Sequence, residues 1–454
     1  MITYQDFEKN RNDEYVFKII SEYKGTEFYR TAIDAEQYAR KRNPTITKYQ
    51  KLLYTLTGKT VPDYISSNHK CASNFFGRFV TQLNQYLLGN GVTFNEDSTS
   101  KKLGDDFDTV VQKAGKWALI GGVSYGLWNY DHLEVFKATE FAPLWDEYTG
   151  GLRAGVRFWQ LANDKPIRAT LYEVDGYTEY VNDTGNAKIL EPKRKYKEYI
   201  RTSTADGTEI YDGENYADLP IVPLWANDYH QSEIVGLREN IDCYDLIKSG
   251  FANDLDDASV IYWVLTNSGG MDDVDLAKFI ERMKTVKVAT VDSDVGQSVT
   301  AHTMDVPYQS REVYLNMLSA DLYRDAMALD TDKIASGAVT ATQIKASYEP
   351  LNNRTDEWEY CVIQFIKGIL SLAGIDDDPT FTRSKIVNVQ EEVETLVSSA
   401  QYLSEDYITE KILTLYGDKD MLDTVLAEND EEEYNKWTAD EMKQTSTSQE
   451  SKAN

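Results

Sequence analysis

Cysteine and histidine are scarce in this chain of 454 residues. The three cysteines (Cys71, Cys243 and Cys361) are an odd number, lie far apart and make no CxxC pair. Neither a disulfide framework nor a thiolate metal site is expected, and a reducing compartment fits. The four histidines (His69, His132, His230 and His302) stand alone, with no HExxH. Nucleophilic and metal catalysis usually need a positioned His or clustered Cys, so each is read as a structural residue. No GxxxxGK[ST] phosphate loop, GxGxxG fingerprint or GxSxG elbow occurs. Positive charge is also short: 47 Lys and Arg face 75 Asp and Glu, for a net charge of −28 and a pI near 4.6. That argues against gripping nucleic acid over most of the surface and against docking on anionic lipid. The most apolar runs, 114–128 and 358–375, are too short or too polar to span a bilayer, and residues 1–15 have no apolar signal core.

What is present is an ordinary folded-protein composition, 41% hydrophobic and 27% charged, in a length that allows two to four structural units. The 31 tyrosines suit interfaces, where a broad ring gives contact area at low entropy cost.

Residues 1–90 read mostly as helix, with one helix over 46–57 continuing over 61–88. Phe75, Phe76, Phe79, Val80, Leu83, Tyr86 and Leu87 recur at three and four, the mark of a wide buried stripe, and Gly89-Asn90-Gly91 ends it. A second helix is expected over 103–119. After Gly121-Gly122 the period becomes two: 123–130, 133–139, 155–161, 167–173 and 178–182 read as strands, and 189–200 and 209–211 extend them. Pro220 and Pro223 are expected to close this module. Ser232 reads as an N-cap, and a helix is expected over 233–257 with Leu237, Ile241, Tyr244, Ile247, Phe251 and Leu255 on one face. A strand over 259–266, a helix over 272–283 and a strand over 287–291 make a small α/β insert. A helix over 309–329, a small-residue loop over 330–340 and a long helix from 341, bent at Pro350, follow. Its stripe is Trp358, Val362, Phe365, Ile366, Ile369 and Leu370, and Gly374 stops it. Helices over 390–404 and 406–416 precede a tail that is acidic, then Ser/Thr/Gln/Lys-rich, and expected to be disordered.

Three carboxylate clusters (Asp254/Asp256/Asp257, Asp376/Asp377/Asp378 and Glu431/Glu432/Glu433) are read as solvated faces or helix ends, since none has calcium-loop spacing. Two basic clusters, Arg40-Lys41-Arg42 and Lys193-Arg194-Lys195-Tyr196-Lys197, are read as surface or as contacts for an acidic neighbouring subunit.

Order and motif together resemble the portal proteins of long-tailed bacteriophages over about residues 30–375. The resemblance is carried by the helix end Leu83-Asn84-Gln85-Tyr86-Leu87-Leu88-Gly89, the turn Gly121-Gly122-Val123-Ser124-Tyr125 with Phe141 to Asp146 after it, the run Pro220-Ile221-Val222-Pro223-Leu224-Trp225 with Asn227, and Ser336-Gly337-Ala338 before a long helix. Trp225-Ala226-Asn227 departs from the Tyr-Asn-Asn often found there.

The resemblance implies an α+β portal-type subunit. Residues 1–231 would be a wing with a β-rich module over 120–225. Residues 232–258 and 309–329 would be stem helices around a clip at 259–308. A tunnel loop at 330–340, a long wing helix at 341–375, a crown at 376–427 and a disordered tail at 428–454 would complete it. It further implies DNA-facing Asp330, Thr331, Lys333, Ser336, Gly337 and Thr340; stem residues Arg238, Asp245, Lys248 and Asp254; and clip residues Asn267, Asp272, Asp273 and Lys278 facing motor and adaptor. Implied partners are further copies of the chain in a ring of about twelve, the terminase large subunit, major capsid and scaffolding proteins, a head-completion adaptor and passing double-stranded DNA without sequence preference. The implied place is the virion, after assembly in the host cytoplasm. No membrane, cofactor, metal, catalytic residue or enzymatic activity is expected. The competing readings are a capsid or adaptor subunit that never touches DNA, and a carboxylate metal nuclease on Asp254, Asp256 and Asp257.

Overall fold

The computed structural model describes residues 2–54, 58–64, 66–183, 185–203, 209–258, 262–266, 298–302, 308–335, 341–384 and 396–416, with isolated positions at 274, 277–278, 281, 393, 421–422 and 424–427. The chain divides into two units, Met1–Val339 with Gln343–Ser384, and Thr340–Thr342 with Lys385–Asn454.

The first unit begins with α1 (Tyr4–Lys9), α2 (Asp13–Lys24) and α3 (Glu27–Ala39). Thr3, Asn12 and Thr26 cap them by accepting from the N–H groups of Asp6, Tyr15 and Tyr29. A single turn, α4 (Pro44–Lys48), and a ribbon of β1 (Leu52–Tyr54) and β2 (Thr60–Pro62) follow. The helix expected over 46–57 and onward from 61 is therefore absent. The β-branched residues Thr55, Thr57, Thr60 and Val61 disfavour helix, and Gly58 takes φ +77°, which a helix forbids. Helix resumes only at α5 (Phe75–Leu88), whose expected stripe is buried.

After β3 (Val92–Thr93) come α6 (Asp97–Leu103) and α7 (Phe107–Gly121), parted at Gly104 where one helix over 103–119 was expected. Gly122, at φ +88°, ends α7 in the left-handed conformation, its N–H donating to Ala118 O. The strands are β4 (Val123–Asn129), β5 (His132–Lys137), β6 (Phe141–Trp145), β7 (Leu152–Trp159), β8 (Ile167–Glu173), β9 (Gly176–Asp183), β10 (Asn186–Arg194), β11 (Lys197–Ser203), β12 (Glu209–Glu214) and β13 (Ile221–Trp225). All pair antiparallel, in a five-stranded sheet β10-β9-β8-β7-β6, a three-stranded sheet β13-β4-β5 and a ribbon β11-β12.

The prolines expected to close the module instead lie in or beside a strand. Pro223 sits within β13 opposite Tyr125, and Pro143 within β6 opposite Gly155. Both strands are sheet edges, where a missing N–H can face away from the ladder.

β4 is buried on both faces. Its even-numbered residues face helices: Ser124 donates to Ala114 O of α7, Trp128 joins the helical core, and a Cβ on Gly126 would lie 2.6 Å from the Phe365 ring. Its odd-numbered residues, Val123, Tyr125 and Leu127, pack with Phe136, Phe141 and Tyr172 between the two sheets. The other face of the larger sheet is covered by Phe7, Val16, Ile19, Ile20 and Tyr23, which gives the N-terminal helices a packing role.

The chain continues with α8 (Arg238–Ala258), β14 (Tyr262–Thr266), β15 (Ser298–His302), α9 (Tyr308–Asp325), α10 (Thr331–Ala335), α11 (Ala341–Ser347) and α12 (Glu349–Ala373). β14 pairs with β15. The strand expected over 287–291, most of the helix over 272–283 and the tail from 428 lie outside the described residues. α12 carries the expected stripe; Trp358, Val362, Phe365, Ile366, Ile369 and Leu370 are all buried, and Gly374 caps it at φ +71°.

Three helix expectations need correction. α8 starts at Arg238 rather than 233, because the Ser232 hydroxyl donates to Ile120 O and 233–237 form turns. α9 ends at Asp325 rather than 329, where the chain turns and Met327 takes φ +49°. The loop expected over 330–340 begins instead with the helical turn α10.

Beyond α12, β16 (Thr380–Phe381) pairs with β3, and Ser384 N–H donates to Tyr86 O, so the first part of the segment read as crown is stitched to the first unit. The second unit, described by itself, contains a 3-10 turn (Ala400–Tyr402) and α13 (Glu405–Tyr416).

Candidate functional site on the paired helices

α8 and α9 run antiparallel. Asn240 Nδ2 donates to Asp325 at 3.2 Å at one end, Cys243 Sγ lies 3.9 Å from the Tyr314 hydroxyl, and Arg311 pairs with Asp254 toward the other end while its guanidinium sits over the Phe251 ring.

The apolar face expected on α8 is not its buried face. Leu255 is exposed, Tyr244, Ile247 and Phe251 are half-buried, and the buried positions beyond Ile241 are Asp245, Ser249 and Asn253. These polar residues, four apart, hold residues 67–73, which have no strand partner. Ser73 N–H donates to Asp245 at 2.8 Å, Cys71 N–H to Ser249 Oγ at 2.9 Å and His69 N–H to Asn253 Oδ1 at 2.7 Å. The Ser67 hydroxyl and His69 Nε2 meet Asp256 at 2.9 and 2.8 Å. Alternate N–H groups of an extended chain thus meet one ridge of a helix. Asn43 donates to Asp245 as well. Burial pushes the Asp245 carboxyl up, against the opposing hydrogen bonds from Asn43 and Ser73. Hydrogen bonds from His69 and Ser67 pull Asp256 down. Beside this ladder Asp242 accepts from the hydroxyls of Tyr38 and Thr45, and burial together with the Asp242 contact pushes Tyr38 up to about 12.

Of the residues singled out on the stem, Arg238 pairs with Asp34 at 3.1 Å, Lys248 is exposed over the Tyr244 ring, Asp254 is held by Arg311, and Asp245 is a buried strut. Asp330 and Lys333 pair at 3.4 Å, and Thr331 opens α10. Leu329 is buried, exchanges two hydrogen bonds with Gln82, and Ile334 packs on the core, so this end of the expected loop is anchored more firmly than its small residues imply. Ser336, Gly337 and Thr340 lie outside the described residues, as do Asn267, Asp272 and Asp273. Lys278 is helical and exposed.

The carboxylates do not converge: Asp254 goes to Arg311, and Asp256 to Ser67 and His69. Among the described residues no group of three His, Cys, Asp or Glu could hold a metal ion. Asp377 caps α6 instead. Desolvation pulls its carboxyl up, but hydrogen bonds from Thr99 and the backbones of Glu96, Asp378 and Asn95 outweigh that and hold it at about 2. The second basic cluster is largely neutralised within the subunit: Lys193 by Glu173 and Asp175, Arg194 by Glu191, Lys195 by Asp212, with Lys197 over the Tyr216 ring. Many tyrosines likewise serve the subunit's own packing; Tyr172, Tyr177, Tyr196 and Tyr216 form one chain of ring contacts.

The residue ladder on α8 was not foreseen. Its signal, a polar residue every fourth position opposite an apolar stripe, is also that of an ordinary solvated face.

A cavity of about 540 Å³ lies between α5, the turn before α8, the turn after α9 and the first turns of α12. Its floor includes Phe76, Phe79, Leu83 and Leu351. Among the described residues no helix is long and apolar enough to cross a membrane.

A family model described as phage portal protein, SPP1 Gp6-like, matches residues 33–435. The portal protein of Clostridium phage phiCD119 is 27% identical over 232 residues, covering 49% of this chain and 50% of that protein, so the chain spans about half the length of that relative. The portal protein of Bacillus phage SPP1 is 23% identical over 385 residues, covering 78% of this chain and 74% of that one. Among solved structures, a chain from the neck of an empty GTA particle is 10% identical with a TM-score of 0.41, covering 76% of this chain and 90% of its own. A HK97 family phage portal protein from Corynebacterium diphtheriae is 12% identical with a TM-score of 0.30, covering 67% and 91%.

Proposed function

The chain belongs to the SPP1 Gp6-like family of phage portal proteins, and from that premise we propose that about twelve copies form a ring channel at one capsid vertex. Double-stranded DNA enters through it during packaging, driven by a terminase motor docked on the clip, and leaves through it into the tail. Capsid, scaffolding and head-completion proteins bind the same ring.

The observation that carries this reading is the antiparallel pair α8 and α9, two long helices joined through a segment containing the β14–β15 ribbon and followed at once by a short connection to α12. This order matches stem, clip, stem, tunnel segment and wing helix. The net charge of −28 supports a conduit rather than a clamp. A wall rich in Lys and Arg would bind phosphate at each step, whereas an acidic wall repels the duplex and lets it slide. Pairing of Lys333 with Asp330 leaves little net charge at the start of the tunnel segment. The protein itself supplies no catalysis in this reading: Asp254 and Asp256, the best candidates for a metal nuclease, are engaged by Arg311, Ser67 and His69.

Electron microscopy of the purified full chain tests the proposal. The expected result is closed rings with a central channel wide enough for a duplex. Monomers and dimers alone, at micromolar concentration and over a range of salt, would overturn it.

A further inference from the structure

Two features of the first unit have no use within one subunit. The first is the β1–β2 ribbon. Leu52 and Leu53 point to opposite faces of it, yet Leu52 is 56% exposed, and Leu53, its cross-strand partner Val61 and the flanking Tyr49 and Tyr64 are exposed as well. A two-stranded ribbon uncovered on both faces is marginal in water. The ribbon also sits in the most basic stretch of an acidic chain. From Gln37 to Pro62 there are six Lys and Arg and no Asp or Glu.

The second is the cavity of about 540 Å³. Its floor is apolar, and exposed apolar groups, Tyr229, Val235 and Met327, stand at its mouth. Its lining carries Asp228, Glu233, Asp325 and Glu357 against a single cation, Arg354, which already pairs with Glu233 and Glu357. The cavity is thus apolar within and acidic at its rim, and the ribbon is apolar at its tip and basic at its flanks.

We propose that the β1–β2 ribbon of one copy inserts into the cavity of the next copy, its Leu52, Leu53 and Val61 on the apolar floor and Lys48 and Lys51 against the acidic rim. The proposal rests on the ring reading and names the contact that closes it. Ribbon and cavity are different surfaces, so the interface is heterologous, and head-to-tail contacts of that kind generate rings when the rotation closes. The apolar part supplies adhesion, and the charges supply direction and sensitivity to salt.

The test uses the full chain in four forms: unaltered, Leu53→Asp, Lys48→Glu with Lys51→Glu, and an equimolar mixture of Leu53→Cys and Met327→Cys chains under mild oxidation. Mass photometry reads assembly, near-ultraviolet circular dichroism reads folding, and a denaturing gel reads covalent dimers. We expect rings from the unaltered chain, monomers with unchanged dichroism from Leu53→Asp, and rings from the double charge variant only at salt several-fold lower. A disulfide-linked dimer should form in the mixture and in neither single variant. Should Leu53→Asp lose its fold, the mixture still decides: no linked dimer from intact rings overturns the proposal. Intact rings from Leu53→Asp overturn it too, as does a charge variant that assembles normally but loses retention on a DNA column, which would make the arm a nucleic-acid contact. An unaltered chain that stays monomeric overturns the ring reading itself, a result distinct from the others.

Discussion

The backbone N–H of Ser73 donates to the Asp245 carboxylate at 2.8 Å, and the side-chain amide of Asn43 donates to the same carboxylate. A buried anion on α8 thus fastens both the chain entering α5 and the chain entering α4. Asp245→Ala should leave two buried donors without an acceptor and cost about 2–3 kcal/mol in urea unfolding. Asp245→Asn should cost less, because its new amide can donate to Asn43 Oδ1, a buried acceptor with no partner.

The pH dependence of that difference has a definite sign. Burial raises the carboxyl above its ordinary value of 3.8, so the folded state holds the proton more tightly than the unfolded one. The contribution of Asp245 is therefore greatest in acid and falls as pH rises through the raised value. Relative to Asp245→Asn, the unaltered chain should gain stability as pH falls toward 3.8; thermal melts of both proteins at matched pH check this, and a difference flat with pH would contradict it.

Asp377 should behave in the opposite way. Its carboxyl is held at about 2, so its contribution is present above 3.8 and disappears as pH falls through about 2. Asp377→Asn should lower the melting temperature at neutral pH and narrow the gap to the unaltered chain below 3.8. The docking of 377–384 on the first unit should loosen with it, seen as faster amide exchange at Glu96 and Ser384.

Gly126 and Phe365 are predicted to be coupled. Gly126→Ala would place a methyl 2.6 Å from the Phe365 ring, an overpacking that costs about 1–3 kcal/mol. Phe365→Leu alone should destabilise through lost contact. The pair together should cost less than the two single changes added, and chemical denaturation of all four proteins measures that coupling.

The rungs of the α8 ladder can be removed one at a time. Ser249→Ala should raise amide exchange at Cys71 while leaving His69 protected, and Asn253→Ala should do the reverse. Equal effects at both sites would mean that the segment lifts as one piece.

Where the sequence pattern and the fold agree, one physical signal dominates. The stripe of α12 has no competitor, since Trp358 to Leu370 repeat at helical spacing between a clear break at Pro350 and Gly374. The strands β4 to β9 alternate, and β4 adds burial on both sides. Errors fall where two signals conflict. Residues 46–57 have helical spacing, but Thr and Val beside a glycine in a turn prefer a ribbon. Pro223 reads as a stop because the pattern does not reveal which strand will be an edge. Ser232 has the chemistry of a cap, but a carbonyl at the end of α7, distant in sequence, claims its hydroxyl. The site residues were harder still. Asp245 is an acidic residue in an acidic chain, and only the arrival of Ser73 and Asn43 turns it into a strut.

The ladder along α8 compares two rulers. Two residues of extended chain advance about 6.6 Å and four residues of helix about 6.0 Å, so each rung slips by roughly 0.6 Å. Three rungs remain within hydrogen-bonding tolerance, and at the fourth the contact passes from backbone to the longer reach of Ser67 and His69 side chains on Asp256. The same arithmetic makes the segment a phase lock. Inserting one residue between Asp63 and Cys71 would leave the ladder able to re-form only by turning its N–H groups away from the helix or slipping the whole ribbon by two positions. Evolution can therefore change the side chains of this segment with some freedom, but its length counts in steps of two.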